Sequence, residues 1–278
     1  MLSKRLFIIL QIAAIGVFLG RAWQHLYWDA PFRTLLWDER WMKGIIEGIF
    51  NLDWQDYVRS AKVDRGIQLS IRITGGFYIL CAIAAIFIDR LKKWAYTILY
   101  IGSAALFLLA FLECKERFFF LAQFLEYALQ FSTPVFLILA HRQQKIGPRL
   151  IFWMKLAAAL TFVSHGLFAI GYYPTPGYFV EMVMNIMGVG QETAVQVLQL
   201  AGILDFIVGV LIFFPPKLAL PALAYMIFWG FGTTIARVWG YFHPEIIVDI
   251  LNQWFYQSLF RIPHFLIPLF LFLLLRKN

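Results

Sequence analysis

Nine side chains that can hold an oxygen-rich ligand or move a proton stand inside long apolar stretches of this sequence. They are Arg21, His25, Arg72, Glu126, His165, Asp205, Arg237, Arg261 and His264. Arg21 and His25 are four residues apart and Arg261 and His264 three apart, so on a helix each pair shares one face. A charge at the centre of a membrane costs at least about 2.5–3.5 kcal/mol, so each of these residues requires a reason.

The balance of charge among these residues suggests the kind of ligand. Four of them are arginines, and only Glu126 and Asp205 are carboxylates. An excess of guanidinium groups favours an anionic or carbonyl-bearing ligand, such as a lipid headgroup, a quinone or a carboxylate. A structural alternative stays open, in which the carboxylates pair with arginines while Arg21 and Arg237 extend toward the membrane surface.

The composition indicates which elements carry these residues. The chain has 278 residues, of which 61% are hydrophobic and 14% charged, whereas a soluble domain is about a quarter charged. The apolar residues form blocks of about twenty without strand-like alternation, which predicts helices that cross a hydrocarbon core of roughly 30 Å. The eight blocks are Leu6 to Trp28, Ile67 to Ile88, Trp94 to Leu112, Phe118 to Ala140, Leu150 to Tyr172, Ala194 to Phe214, Leu218 to Tyr241 and Phe255 to Leu275.

The charges between the blocks alternate along the chain. One set of connecting segments holds 11 basic residues against the single acid Asp89, and the other holds 8 basic residues against 13 acids. Because basic segments face the cytoplasm, the sequence predicts eight spans in a bacterial-type inner membrane, with both termini cytoplasmic. In that orientation the nine polar residues lie near the midplane or in the outer half, which predicts a polar cavity that faces outward.

The long segment between the first two blocks, residues 29–65, is too apolar for a disordered loop. Trp37, Trp41 and Trp54 alternate with aliphatic residues, which is typical of amphipathic helices at the outer membrane surface. Pro31 suits a helix start. Two interpretations stay open, in which the segment either packs on the bundle as a cover or gates a cavity.

The two halves of the chain share a layout. IAAIGVFLGRAWQHLYWDAPFRTLL aligns with LAAALTFVSHGLFAIGYYPTPGYFV and places Arg21 over His165, while PVFLILAHR over PLFLFLLLR places Gln130 over His264. Since each half begins and ends inside, the sequence predicts an all-α protein of two parallel four-helix repeats, related by an axis along the membrane normal. The predicted domains are residues 1–145, with the outer loop 29–65, and residues 146–278.

The second half has a recognisable arrangement of motifs. His165 and Gly166 lie near the outer end of its first span, an amphipathic stretch follows, and Asp205 stands within LDFIVGVLIFF. This arrangement resembles the DoxX-like four-helix membrane family, which is similar to units in quinone-linked membrane proteins and to the vitamin-K-carboxylase-like transmembrane domain. The resemblance implies a four-helix bundle, in some members associated with thiosulfate:quinone oxidoreduction, with Asp205 at the family's acidic position. The first half departs from this pattern, since Arg72 stands in the corresponding span.

Several other chemistries lack their sequence patterns. No HxxxH or carboxylate-flanked histidine pair supports a metal site, and haem ligation is not favoured, since a lone histidine on an apolar helix is more often a hydrogen-bonded core residue. Cys81 and Cys114 are far apart and form no CxxC motif, so a disulfide cannot be argued from the sequence and thiol reduction of quinone epoxides is not favoured. There is no Walker loop, GxSxG elbow or dinucleotide fingerprint, and the distribution of basic charge does not suit nucleic acid.

Three hypotheses for function follow. The leading one is a protein that binds a quinone or lipid-like molecule in an outward-facing pocket, as a membrane subunit of a redox assembly. Arginines would bind oxygen atoms, and a histidine or Asp205 would move a proton. Its partners would be membrane lipids and other membrane or periplasmic subunits, with quinone as the candidate cofactor. The alternatives are a small-molecule or lipid transporter and a non-catalytic structural subunit; whether the chain is an enzyme stays open.

Overall fold

The computed structural model describes residues 3–276, whose regular structure is entirely helical. The first half contains α1 (Lys4–Tyr27), α2 (Arg33–Leu36), α3 (Glu39–Phe50), α4 (Trp54–Arg59), α5 (Ala61–Ile86), α6 (Ile88–Leu91), α7 (Lys93–Glu116), α8 (Leu121–Leu125) and α9 (Ala128–Gln143). The second half contains α10 (Pro148–Ala169), α11 (Gly177–Met187), α12 (Gln191–Leu211), α13 (Pro216–Gly240), a 3₁₀ turn (Pro244–Ile246), α14 (Ile247–Ile250), a π turn (Leu251–Phe255), α15 (Tyr256–Arg261) and α16 (Pro263–Leu275).

Seven stretches of the described chain are long and apolar enough to cross a membrane. They are α1, α5, α7, α10, α12, α13 and the interrupted stretch Pro244–Leu275. The chain is therefore a multi-pass α-helical membrane protein, as its composition predicts. Polar residues fix several helix starts: the side chains of Ser3, Asp38 and Ser60 accept hydrogen bonds from backbone N–H groups of the first turns of α1, α3 and α5.

The predicted fourth span, Phe118 to Ala140, is not one continuous helix. Phe118 and Phe119 have positive φ angles of 53° and 58°, and the chain breaks again at Glu126 and Tyr127, between α8 and α9. The 16 residues of α9 cover about 24 Å at 1.5 Å per residue, less than the roughly 30 Å of a hydrocarbon core. Residues 3–276 thus contain seven helical stretches of spanning length, where the sequence predicts eight.

The last span is also interrupted. It begins at Pro244, well before the predicted Phe255, and contains a π turn before α15. Pro263 then opens α16 directly after α15 ends at Arg261. Proline has no N–H to donate to the preceding turn, which accounts for the break at this position.

Both halves share one apolar core, with α1 at its centre. Leu10 and Leu137 from the first half and Met154 and Ile267 from the second belong to the same buried cluster. Helix α1 packs against α5, α9, α15 and α16. A Cβ atom at Gly20 would lie 2.6 Å from the backbone oxygen of Tyr256, so only glycine permits this crossing of α1 and α15.

The outer segment 29–65 contains the three helices α2, α3 and α4 and packs on the first half. Arg33 forms an ion pair with Asp64 at 2.7 Å, and Trp41 stacks on Phe111 of α7 with ring centroids 5.9 Å apart. Lys115 donates a hydrogen bond to Asp38, which lowers the pKa of the Asp38 carboxyl. The segment is therefore a cover over α5 and α7.

Candidate ligand-binding cavity

A cavity of about 240 Å³ lies within the second half, between α10, α11, α12, α13 and the α15–α16 junction. Its wall is mostly apolar and includes Phe162, Phe179, Met182, Ile186, Leu198 and Trp229. Its charged residues and histidines are His165, Asp205, Arg237, Arg261 and His264. These are five of the nine residues singled out in the sequence, and no residue of the outer segment 29–65 lines this cavity.

The break between α15 and α16 positions two of these side chains. Arg261 is the last residue of α15 and His264 is the second residue of α16, and both line the cavity although a helix break separates them. Gly230 lets α16 approach α13, because a Cβ at this position would lie 2.5 Å from the backbone oxygen of His264. The junction thus directs a cation and an imidazole toward the same space.

His165 links the cavity to Glu126. Nη2 of Arg261 donates to Nε2 of His165 at 3.1 Å. Because a guanidinium can only donate, Nε2 must accept, and the proton of a neutral His165 ring lies on Nδ1. Nδ1 faces Oε2 of Glu126 at 3.7 Å, while the ring centroid lies 5.5 Å from that of His264.

Several buried polar atoms around the cavity have no hydrogen-bond partner within the described chain. They are Nε of Arg237, Nε of Arg261 and both ring nitrogens of His264, in residues that are only 6%, 7% and 2% exposed. No carboxylate oxygen of residues 3–276 lies within 4.0 Å of either guanidinium. Arg237 instead lies over the ring of Tyr178, 4.6 Å from its centroid. Unsatisfied buried donors are costly, and the oxygen atoms of a ligand would satisfy them.

Asp205 lines the same cavity from α12. It is 2% exposed, and its Oδ1 accepts a hydrogen bond of 3.3 Å from the hydroxyl of Tyr225 on α13. Within the described residues no basic nitrogen lies within 4.0 Å of its carboxyl group. The structural alternative, in which Asp205 pairs with an arginine, is therefore not present among the described residues.

A second cavity of about 220 Å³ has Glu126 in its wall. Its lining is Arg117, Phe120, Gln123, Glu126, Phe168, Pro174, Thr175, Pro176 and Tyr178. Gln123 donates to Oε1 of Glu126 at 3.1 Å, while Oε2 faces His165. Glu126 thus lies between the two cavities and has one oxygen directed to each side.

Arg21 is held in a separate network in the first half. Its Nε and Nη2 donate to Oε1 of Gln130 at 3.1 and 2.7 Å, and its Nη1 donates to Gln24 at 2.6 Å. Oε1 of Glu113 lies 3.9 Å from Nη1, and the guanidinium covers the ring of Phe260 at 4.0 Å. Arg21 is therefore buried and satisfied by protein groups, and it does not extend to the surface of the bundle as the structural alternative would have it.

His25 and Arg72 line neither cavity. His25 is fully buried, its Nδ1 lies 2.7 Å from the carbonyl oxygen of Arg21, and its ring meets Tyr78 edge to face. Arg72 is exposed on the surface of α5. The structure thus places Arg21, His25 and Arg72 outside the first cavity, while Glu126 contacts His165 of its wall.

Some site residues are missing from the sequence prediction. The charge pattern of the sequence assigns Glu113 to an outer loop, but Glu113 lies on α7 beside Arg21. The lining of the cavity by α11 has a readable signal, because Phe179, Met182, Val183, Ile186 and Met187 follow the i, i+3, i+4, i+7, i+8 spacing of one helix face. Tyr178, which covers Arg237, has no comparable signal.

Comparison with protein-family models, with characterised proteins and with solved structures finds no match. Within residues 3–276, no three histidine, cysteine, aspartate or glutamate side chains are grouped to hold a metal ion. Cys81 and Cys114 are both buried free thiols.

Proposed function

We propose that this protein binds an amphiphile with an anionic or carbonyl-rich head, a quinone or a lipid-like molecule, in the second-half cavity. The observation that carries the proposal is the pair of buried guanidinium groups, Arg237 and Arg261, with no carboxylate within 4.0 Å in the described chain. Arginine keeps its charge under almost all conditions, so a buried pair favours an oxygen-rich head group. His264 supplies two further ring nitrogens that have no hydrogen-bond partner among residues 3–276.

The apolar wall supports an amphiphile over a small polar solute. Ile186 and Met187 line the cavity and are also 40% and 55% exposed. The cavity therefore has an apolar edge on the outside of the bundle. An alkyl or isoprenoid tail could leave the cavity there and lie along the lipid-facing surface, while the head group contacts the arginines.

We further propose that α8 and α9 together form an interrupted eighth span, so that each half contributes four. Helix α9 packs against α1, α7 and α10 and is largely buried. The alignment that places Gln130 over His264 also places Ala128 over Ile262, so the breaks before α9 and α16 fall at corresponding positions.

Contacts between aligned residues support the internal repeat. Arg21 aligns with His165, and Gln130 aligns with His264, through two independently chosen segments. Arg21 hydrogen-bonds Gln130, and the ring of His165 lies against that of His264. The helix pairs also correspond, since α1 packs on α5 as α10 packs on α12, and α7 on α9 as α13 on α16.

The loop charges support an orientation with both termini in the cytoplasm of a bacterial-type inner membrane. The ligand cavity would then lie toward the periplasmic side. In that setting the protein would serve as a membrane subunit of a redox assembly, in line with its resemblance to the DoxX-like family. Its partners would be membrane or periplasmic subunits and the lipids themselves.

Filling the cavity tests the proposal. A Cβ at Gly232 meets nothing within 4 Å, although Gly232 lines the cavity, so Gly232→Phe places a ring in that space. The matched control is Gly76→Phe, at an exposed glycine on α5 with equally open surroundings. Both variants and the wild type would be titrated in nanodiscs with decylubiquinone and, separately, with oleate.

We expect Gly232→Phe to lose at least about tenfold in affinity for whichever probe binds, because its ring occupies the ligand volume. Gly76→Phe should bind like the wild type. Binding of decylubiquinone alone identifies a quinone site, and binding of oleate alone identifies an acidic-lipid site. If neither probe binds the wild type, or if both variants bind equally well, the proposal is wrong.

Transport is the second candidate, and the interrupted helices favour it. Glu126 and Arg261 both lie where a helix ends, at the α8–α9 and α15–α16 breaks. Transporters often build their binding sites from such discontinuous helices. Counterflow of the bound probe across proteoliposomes would establish transport, whereas binding without exchange would exclude it for that probe.

A further inference from the structure

Glu126 has an unusual position between the two cavities. It lines the second cavity, and its Oε2 lies 3.7 Å from Nδ1 of His165. His165 lines the ligand cavity, where its Nε2 accepts a hydrogen bond from Arg261. A carboxylate, an imidazole and a guanidinium therefore form one chain from the second cavity to the ligand cavity.

The order of groups in this chain suits proton transfer. A neutral imidazole can take a proton on one nitrogen and release a proton from the other, so it conducts without storing charge. Nη2 of Arg261 donates to Nε2 of His165. The proton of the neutral ring therefore lies on Nδ1, on the side that faces Glu126. The acceptor nitrogen thus faces the ligand cavity, and the N–H group faces the carboxylate.

We propose that Glu126 is the proton acceptor for an acidic head group, which enters the ligand cavity as a neutral acid and remains there as its anion. The inference rests on the proposed ligand site and deepens it, since it names an ionisable head as the ligand class. A neutral acid partitions into lipid more readily than its anion. The two arginines then stabilise the anion once the proton has left.

The step balances without any further reactant. The guanidinium of Arg261 turns from Nε2 of His165 to the oxygen atoms of the head group. The O–H bond of the acid breaks and an Nε2–H bond forms, while the Nδ1–H bond breaks and an O–H bond forms on Oε2 of Glu126. His165 remains neutral with its proton on the other nitrogen, and Glu126 releases the transferred proton to water in the second cavity.

The charges that face Glu126 are compatible with this role. Gln123 donates to Oε1, and Arg117 and Tyr178 line the second cavity with it. Arg261 approaches from the other side of the His165 ring, where it donates to Nε2. The second nearby carboxylate, Glu113, is next to Arg21. Tyr127, the next residue along the chain, is buried.

Calorimetry in nanodiscs can count the protons that accompany binding, by comparing buffers of different ionisation enthalpy. The probe is oleic acid at about pH 6, where burial in lipid keeps much of the acid protonated. Methyl oleate, which has no acidic proton, is the matched probe. The variants are Glu126→Gln, which preserves an acceptor for Gln123, and Glu181→Gln, which removes a carboxylate of α11 that lines neither cavity.

We expect the wild type and Glu181→Gln to release about one proton per oleic acid bound, and Glu126→Gln to release almost none and to bind about tenfold more weakly. Methyl oleate should release no proton in any variant. His165→Gln interrupts the same route and should behave like Glu126→Gln. It therefore serves as a second test if Glu126→Gln does not fold. If Glu126→Gln releases as many protons as the wild type on binding oleic acid, the inference is wrong, while the proposed ligand site is unaffected. A wild type that binds no oleic acid overturns the inference, and one that binds no decylubiquinone either overturns the ligand site.

Discussion

The buried arginines of this protein lie in opposite environments. Arg21 donates to Gln130 and Gln24 and lies beside Glu113. Arg261 meets only the neutral ring nitrogen of His165 among hydrogen-bonding groups of the described chain. Removing a guanidinium from water is costly unless polar partners replace the water. Protein groups do so for Arg21, whereas Nε of Arg237 and Nε of Arg261 have no hydrogen-bond partner in the described chain.

A neutral side chain at position 237 should weaken ligand binding without weakening the fold. Arg237→Gln removes a charged donor, and hydrogen bonds to charged groups are worth about 1.5–3 kcal/mol, so the affinity for decylubiquinone or oleate should fall about tenfold or more. The melting temperature should stay the same or rise, because the substitution removes a buried charge that has no carboxylate partner in the described chain. Arg72→Gln is the matched control because Arg72 is exposed on α5, and equal losses of affinity in both variants would contradict the assignment.

The Arg21 network should respond in the reverse way. Gln130→Leu removes the oxygen that accepts from Nε and Nη2 of Arg21 and leaves these donors buried. We expect the free energy of unfolding to fall by about 1–3 kcal/mol, with little change in ligand affinity. Urea unfolding in detergent measures the effect, and Gln143→Leu, at an exposed position of α9, is the control. A stable Gln130→Leu variant with impaired binding would place Arg21 in the ligand site.

At the scale of elements, the sequence predicts the apolar blocks well and their interruptions poorly. Hydropathy depends on side chains, and the block Phe118 to Ala140 stays apolar across the turns at Phe119 and Tyr127. Pro263 marks the break before α16, but no proline marks the break before α9. Breaks of this kind depend on how neighbouring helices satisfy the freed backbone groups, which is a property of the packed bundle.

The attachment of α3 to the bundle should depend on pH. The hydrogen bond from Lys115 lowers the pKa of Asp38, so the folded state favours the charged carboxylate. This contribution is complete above the ordinary carboxyl pKa of about 3.9 and is lost as the pH falls through the lower pKa of the folded state. Hydrogen exchange of α3 amides, corrected for intrinsic rates, should therefore accelerate below about pH 4.

The variant Asp38→Asn should show the faster exchange already at neutral pH. Asp56→Asn is the control, since Asp56 forms no ion pair in the described chain. An Asp38→Asn protein whose α3 amides exchange like those of the wild type would show that the ion pair does not hold the segment.

At the scale of the whole molecule, membership of an apolar block is predictable from the sequence, whereas the side of the helix that faces the bundle is harder to predict. His165, Asp205, Arg237, Arg261 and His264 all stand in apolar blocks of the second half, and they line one cavity. Arg72 also stands in an apolar block, but it is exposed on α5, as are Lys62 and Arg65. Hydropathy averaged over a block identifies the helix and does not by itself distinguish its inner face.

The predicted orientation can be tested with two introduced cysteines. Gln55 and Gln144 are exposed, on the outer segment and on the connection after α9, and the charge pattern places them on opposite sides of the membrane. We expect a membrane-impermeant maleimide to label Gln55→Cys in intact cells and Gln144→Cys only after permeabilisation. The wild type is the background control, because Cys81 and Cys114 are buried. If only Gln144→Cys is labelled in intact cells, the topology is the reverse of the predicted one.

The satisfied network of Arg21 and the unsatisfied cluster around Arg261 lie in different halves of one bundle. Substitutions of Gln130 or Glu113 should weaken the scaffold, whereas the donors around Arg261 that have no partner in the described chain contribute little to its stability. Selection for a new ligand could therefore proceed at positions such as Val197, Gly232 and Ala236, which line the cavity, without reaching the stability threshold. The protein is accordingly a suitable starting point for engineered receptors of membrane-soluble compounds.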